Sequence, residues 1–169
     1  GAQAIAGQAS LQQQGNKLVI TTQNAPGTSH SAINWQSFNV PAGSTAWFNQ
    51  PSAGSTSINR VVAPNPSSIL GTLGSNGHIV LVNPSGIAVG AGAVVDTARF
   101  TAAAMHMSDA DALAGRLRFE GGSSVQVQGQ VLARGSDVLM LAPDVQVAPG
   151  ALVQAPNGAR VIASKSVTI

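Results

Sequence analysis

Short apolar runs recur along the chain, with turn residues between them. "KLVITT" (17–22), "SAINWQSFNV" (31–40), "STAWFNQ" (44–50), "TSINRVV" (56–62), "SSILGTL" (67–73) and "HIVLVN" (78–83) each read as a strand. Between them stand "QNAPGTSH", "PAGS", "PSAG", "APNP" and "GSNG", rich in the residues that turns demand. Strands spaced about ten residues apart predict a sandwich, a barrel or a β-solenoid.

The C-terminal third favours the solenoid. "VQVQGQVLARGSDVLMLAPD" from Val125 and "VQVAPGALVQAPNGARVIAS" from Val145 share one layout. Each opens V-Q-V, turns, and takes an apolar step, Val131-Leu132 against Leu152-Val153. Each then turns at a glycine (Gly135, Gly158) and ends in a third strand, Val138 to Leu141 against Val161 to Ala163. A period of about 20 residues with three short strands is how one coil of a parallel β-helix reads. A lone coil cannot bury enough apolar surface to offset the entropy of ordering it, so stability requires several coils stacked. Helix is expected only at "MSDADALAG" (107–115), with Ser108 as the cap and Gly115 closing the end.

Composition narrows the function. Charged residues are 8% of the chain against about 25% in an ordinary domain. Neutral polar residues therefore carry solubility. The net charge is +2, the basic residues are scattered and aromatics are 4%, so no basic stripe with stacking platforms exists and nucleic-acid binding is not expected. There are no cysteines, which excludes disulfides and thiolate metal sites. That fits passage through an oxidising periplasm and also fits many cytosolic proteins. No run approaches the ~18 apolar residues of a membrane span, and no signal-peptide pattern is present.

Candidate chemistry is sparse. His30, His78 and His106 lack metal-ligand spacing. His106 stands near Asp109 and Asp111, which reads as a surface histidine beside a capping acid. Asp96, Asp109, Asp111, Glu120, Asp137 and Asp144 are mostly spread singly. A polysaccharide-cleaving β-helix enzyme would cluster such acids around calcium, so catalysis, metal and cofactor are not expected. Trp35, Trp47, Phe38 and Phe48 are expected to fill or cap the wide end of the core, and an exposed pair would bind sugar. "NPSGI" reads as a turn, with Pro84 at its second position, Gly86 free to take positive φ and Asn83 capping its own backbone.

From residue 33 to about 120 the chain resembles the two-partner secretion domain of filamentous-haemagglutinin-like exoproteins, also called the haemagglutination activity domain. The features that carry the resemblance are W-x-x-F-N-V, F-N-Q-P, I-N-R-V, P-S-S-I-L-G-x-L, N-G-x-I-x-L-V-N-P-x-G-I and G-x-G-A-x-V, in that order. The resemblance implies an all-β fold, a right-handed parallel β-helix (β-solenoid) with an N-terminal cap and extra-helical strands. One domain is expected over 1–169, with the cap at about 1–30 and coils at about 31–169, as the N-terminal part of a longer exoprotein. "SKSVTI" is expected to lead into more coils.

The resemblance also implies a role. Such domains address an exoprotein to a cognate outer-membrane β-barrel transporter of Gram-negative bacteria, whose POTRA-type periplasmic domains bind it while extended. The chain would cross the periplasm, reach the cell surface or medium and nucleate folding there. Asn83, Pro84, Ser85, Gly86 and Ile87 match the family's N-P-N-G-I recognition motif, with Ser85 replacing Asn. Asn49, Gln50, Pro51 and Ser52 are a positional counterpart of a first motif, N-P-N-L. A monomer is expected, with host-surface ligands reached through the rest of the exoprotein. The rival readings are an adhesin module that binds glycan or protein itself and a β-helix enzyme.

Overall fold

The computed structural model describes residues 1–169. The chain begins with β1 (Ala2–Ala6), β2 (Gln8–Gln14), β3 (Lys17–Gln23) and β4 (His30–Trp35). It then winds through β5 (Thr45–Asn49), β6 (Thr56–Val61), β7 (Ser67–Ile69), β8 (Thr72–Ser75), β9 (His78–Val82), β10 (Ile87–Val89), β11 (Val94–Thr97) and β12 (Arg99–Ala103). An excursion follows, holding α1 (Asp109–Ala114) and β13 (Arg118–Glu120). Winding resumes with β14 (Ser124–Val127), β15 (Gln130–Ala133), β16 (Val138–Ala142), β17 (Asp144–Val147), β18 (Leu152–Gln154) and β19 (Ala159–Ala163), and β20 (Ser166–Thr168) returns to the excursion.

From β7 onward each turn of the winding contributes one strand to each of three faces, whereas β3–β4 and β5–β6 contribute to two of them only. Sheet A has the order β1-β4-β6-β9-β12-β16-β19, sheet B the order β18-β15-β11-β8-β5-β3-β2, and sheet C the order β17-β14-β10-β7. Within these three sheets pairing is parallel, except that β1 runs antiparallel on β4 and β2 antiparallel on β3 at the N-terminal end. The fold is a parallel β-helix. Val125 pairs with Val145 as the repeated V-Q-V indicates. The remaining alignment read from sequence needs correction. Val131 faces Val153, one residue on, and Val138 faces Ala159, two residues earlier than the apolar pattern suggests. Inward columns set the register, because slipping a strand by one residue would turn its apolar side chains outward.

Two other strand readings also change. "SSILGTL" is two strands meeting at a corner, where Gly71 lies so close to the Pro41 and Ser44 carbonyls that no side chain fits. "SAINWQSFNV" stops as a strand at Trp35, and Val40 makes only an isolated bridge to Ile69.

The inner core runs along the axis, built from columns such as Ile20, Phe48, Ile79, Leu81, Phe100 and Met140. Trp35, Phe38 and Phe48 pack together within it, as expected, with the Trp35 and Phe38 rings edge to face at 5.1 Å. Trp47 does not join them. It lies on the outer face of sheet B over Gly74, where a Cβ would come within 2.7 Å of the indole. A second core lies outside sheet A, where Ile58, Val80, Val82, Leu139 and Leu141 meet Met105, Met107, Ala112, Phe119 and Val167. Covering on both faces is why "HIVLV" and "VLMLA" are apolar without alternation and buried at every position.

Residues 104–123 form the covering flap. Ser108 accepts the Asp111 N–H and Gly115 closes α1 at φ 72°, as the sequence predicts. β20 pairs antiparallel with β13 and places Val167 over the second core.

Candidate functional site

The turn Asn83–Gly86 carries the chain from sheet A to sheet C. Its local geometry follows from its residues. Pro84 has its φ fixed by the ring, and Gly86 takes φ 126°, which side chains resist. Asn83 Oδ1 accepts the Ser85 N–H at 3.0 Å, and the Gly86 N–H donates to the Asn83 carbonyl at 3.1 Å.

Neighbouring coils then lock the turn from both sides. Asn83 Nδ2 donates to the Asn65 carbonyl at 2.8 Å and to Ser67 Oγ at 2.9 Å, both in the preceding coil. The Ser67 N–H donates back to the Gly86 carbonyl. From the following coil, the Ala103 carbonyl accepts the Asn83 N–H, and Ser123 Oγ donates to the Pro84 carbonyl at 2.8 Å. Asn83 is 0% exposed. Ile87 is buried in the inner core, while Pro84 and Ser85 remain half-buried at the surface. Sequence reasoning named the five motif residues but not Asn65, Ser67 or Ser123.

Pro84 and Ser85 help to line an open cleft of about 440 Å³, together with Val62, Pro64, His106 and Met107. Arg60 also lines it. Its Nη1 donates to the Met107 carbonyl, its Nε and Nη2 to Asn34 Oδ1, and its Nη2 to Asp109 at 2.6 Å. The buried guanidinium thereby ties the flap to sheet A.

Asn49, Gln50, Pro51 and Ser52 lie at a different corner, between sheets B and A, so the fold does not bring the two segments together. Asn49, Pro51 and Ser52 are exposed. Gln50 is buried, its Nε2 donating to Ser75 Oγ and the His78 carbonyl, while Asn76 pairs with its backbone on both sides. Gln50 Oε1 has no partner.

The remaining polar groups are dispersed. Asp96, Asp109 and Asp137 each pair with one arginine, Arg134, Arg60 and Arg99 respectively. Asp109 therefore serves Arg60 rather than the exposed His106. Asp111 binds Arg116 and Arg118 together; burial pulls its carboxyl up, but the hydrogen bonds from the two guanidiniums outweigh it and hold the group below the usual carboxylate value. His30 bonds the Leu113 carbonyl of α1 at 2.9 Å. His78 is buried between Thr56 and Thr101, and burial, with help from Arg99 and against a smaller pull from Asp137, pushes its imidazole down to about 3. No group of three or more histidines and acids is placed to hold a metal ion.

The chain matches the family model described as the TPS secretion domain over residues 2–169. It is 37% identical over 98 residues to a heme/hemopexin-binding protein of Haemophilus influenzae (strain ATCC 51907 / DSM 11121 / KW20 / Rd), covering 58% of this chain and 10% of that protein. A second Haemophilus influenzae heme/hemopexin-binding protein is 35% identical over 72 residues, 43% of this chain and 8% of that one. The match thus spans a tenth or less of these relatives' length. The crystal structure of the HMW1 secretion domain from Haemophilus influenzae superposes with a TM-score of 0.72 at 27% identity, covering 84% of this chain and 44% of that one.

Proposed function

This chain belongs to the family of TPS secretion domains, and from that premise we propose that it is the secretion signal of a two-partner exoprotein. The periplasmic domains of a cognate outer-membrane β-barrel transporter recognise it, and it nucleates β-helix folding outside the cell. The observation that supports this reading best is the family match over nearly the whole chain, on a fold whose coils gain stability only by stacking. The role involves no catalytic step.

Stacking supplies the physical link between export and folding. The N-terminal strands β1 and β2 run antiparallel over the first coils, whereas the last coil leaves inner-column side chains open, with Val161 53% and Val147 43% exposed. Further coils of a longer exoprotein would cover those columns and extend sheets A, B and C. Each coil that forms outside removes extended chain from the pore, so folding biases the movement outward.

Two motif segments are assigned to recognition. Asn83–Ile87 is the stronger and Asn49–Ser52 the weaker, and both belong to turns that any extended chain would expose. The test is export of this chain from cells with and without the cognate transporter, comparing wild type with Asn83→Ala. Transporter-dependent export that the substitution weakens is expected. Export indifferent to the transporter would overturn the reading.

A further inference from the structure

We propose that the corner between sheets B and A, in the first two turns of the winding, binds ordered internal water that ties the N-terminal strands together from inside. Four sealed side-chain atoms find no partner in the protein: Thr22 Oγ1, Asn24 Oδ1, Ser31 Oγ and Gln50 Oε1. All four belong to this one corner, where β3 leads to β4 and β5 to β6. Thr22, Ser31 and Gln50 are 3%, 1% and 5% exposed. Alternation turns them toward the axis: Thr22 stands two residues after Ile20, Ser31 two before Ile33 and Gln50 two after Phe48, all residues of the inner core. Register sets them side by side. Thr21 pairs with Asn49 immediately before Thr22 and Gln50, and Ser31 pairs with Ser57. Asn24 is held at the same corner by Ser55, whose Oγ accepts its Nδ2 at 3.0 Å.

The donors and acceptors suit water. The two carboxamide oxygens only accept, and the two hydroxyls each have a proton to give, while a water molecule donates two hydrogen bonds and accepts two. Gln50 cannot exchange its roles, because its Nε2 is committed to the His78 carbonyl at 3.0 Å. A buried polar group without a partner is destabilising, and internal water bonded to such groups is a regular part of protein interiors. An ion does not suit the corner. No Asp, Glu, Lys or Arg occurs between Lys17 and Arg60, so a charge buried there would have no counter-charge. The polar lining is also confined, because the column that begins with Ser31 and Ser57 continues as Ile79, Phe100 and Val138. The interior is therefore wet beside the cap and dry beyond it. Gln50 then acts in the folded chain as a strut from the water to Ser75 and His78.

Two measurements test this. A crystal structure of the wild-type chain resolving ordered solvent is expected to show water within about 2.7–3.2 Å of at least two of the four atoms. Thermal unfolding reads the sign of the effect. Thr22→Val removes the hydroxyl at nearly constant volume and is expected to lower the midpoint by about 2–4 °C, because the water loses a partner. Ser31→Ala is expected to act in the same direction, and the double variant to lose less than the sum, because either substitution alone already loosens the shared water. A midpoint that rises in Thr22→Val overturns the proposal, since the hydroxyl would then be buried without any partner. Additive losses overturn it too, as do a crystal in which the four atoms pair with one another and an ion at about 2.3–2.6 Å from the same oxygens. The wild-type crystal decides the matter even where a variant fails to fold.

Discussion

The Arg60 guanidinium, with 6% of its side chain exposed, meets the carboxylate of Asp109, 85% exposed, at 2.6 Å. The two ends of this ion pair live in different dielectric surroundings. Arg60→Ala removes the Met107, Asn34 and Asp109 contacts together and frees the flap, so a loss of about 3 kcal/mol is expected. Asp109→Ala leaves Arg60 its two other partners and is expected to cost under about 1 kcal/mol. Urea unfolding of the two variants measures the asymmetry; equal losses would show that the flap does not depend on the arginine.

His78 makes stability depend on pH. Its folded value is about 3, below the ordinary 6.5, so the unfolded chain binds the proton more readily. The contribution is complete above pH 6.5 and declines as pH falls from there toward 3, by about 1.4 kcal/mol per unit from this group. His78→Gln is expected to be less stable at pH 7 and to lose that slope. Urea midpoints at pH 7, 6 and 5 test it, and parallel slopes in both proteins would refute it.

Asp111 works in a lower window. Its carboxyl is held below the usual range by Arg116 and Arg118 against the opposing effect of burial. That stabilisation is present above the ordinary aspartate value and disappears as pH falls through the lowered one. Asp111→Asn is therefore expected to be the less stable protein at neutral pH and to converge with wild type in acid. Thermal midpoints across the acid range check the convergence.

Much of this fold is legible in local pattern. Turn residues mark the corners, the repeated V-Q-V gives a true register pair, and Ser108 with Gly115 delimits α1. The flap is not legible, because Met105, Met107 and Phe119 look like one more coil strand until sheet A is seen to need an outer cover. The unbroken apolar runs of β9 and β16 carry that signal, since alternation fails where both faces are buried. The partners of Asn83 are hidden for another reason. Asn65 and Ser67 lie 18 and 16 residues away, a distance set by the coil and its turns rather than by any local motif. Trp47 and Phe48 are adjacent in an aromatic cluster, yet strand alternation sends one out and the other in.

The neck of the flap supplies the sharpest test of how tightly it is built. Gly122 takes φ 105°, and a Cβ there would stand 1.9 Å from the Ala104 carbonyl oxygen. Ala104 and Ser123 are bonded through their backbones at the same point, so the oxygen cannot swing aside without breaking the crossing that returns the chain to sheet C. Gly43 has a similar φ, 78°, with open space around it. Gly43→Ala therefore carries only backbone strain and is expected to cost about 1 kcal/mol. Gly122→Ala adds a collision with main chain, and is expected to lose several times as much and to loosen Ser123 from Pro84. Urea unfolding gives the stabilities, and amide exchange at Ser123, whose N–H bonds the Ala104 carbonyl, reports the neck directly. Equal costs at the two glycines would mean that the neck yields, and that the flap is a loosely attached cover rather than a fixed part of the helix.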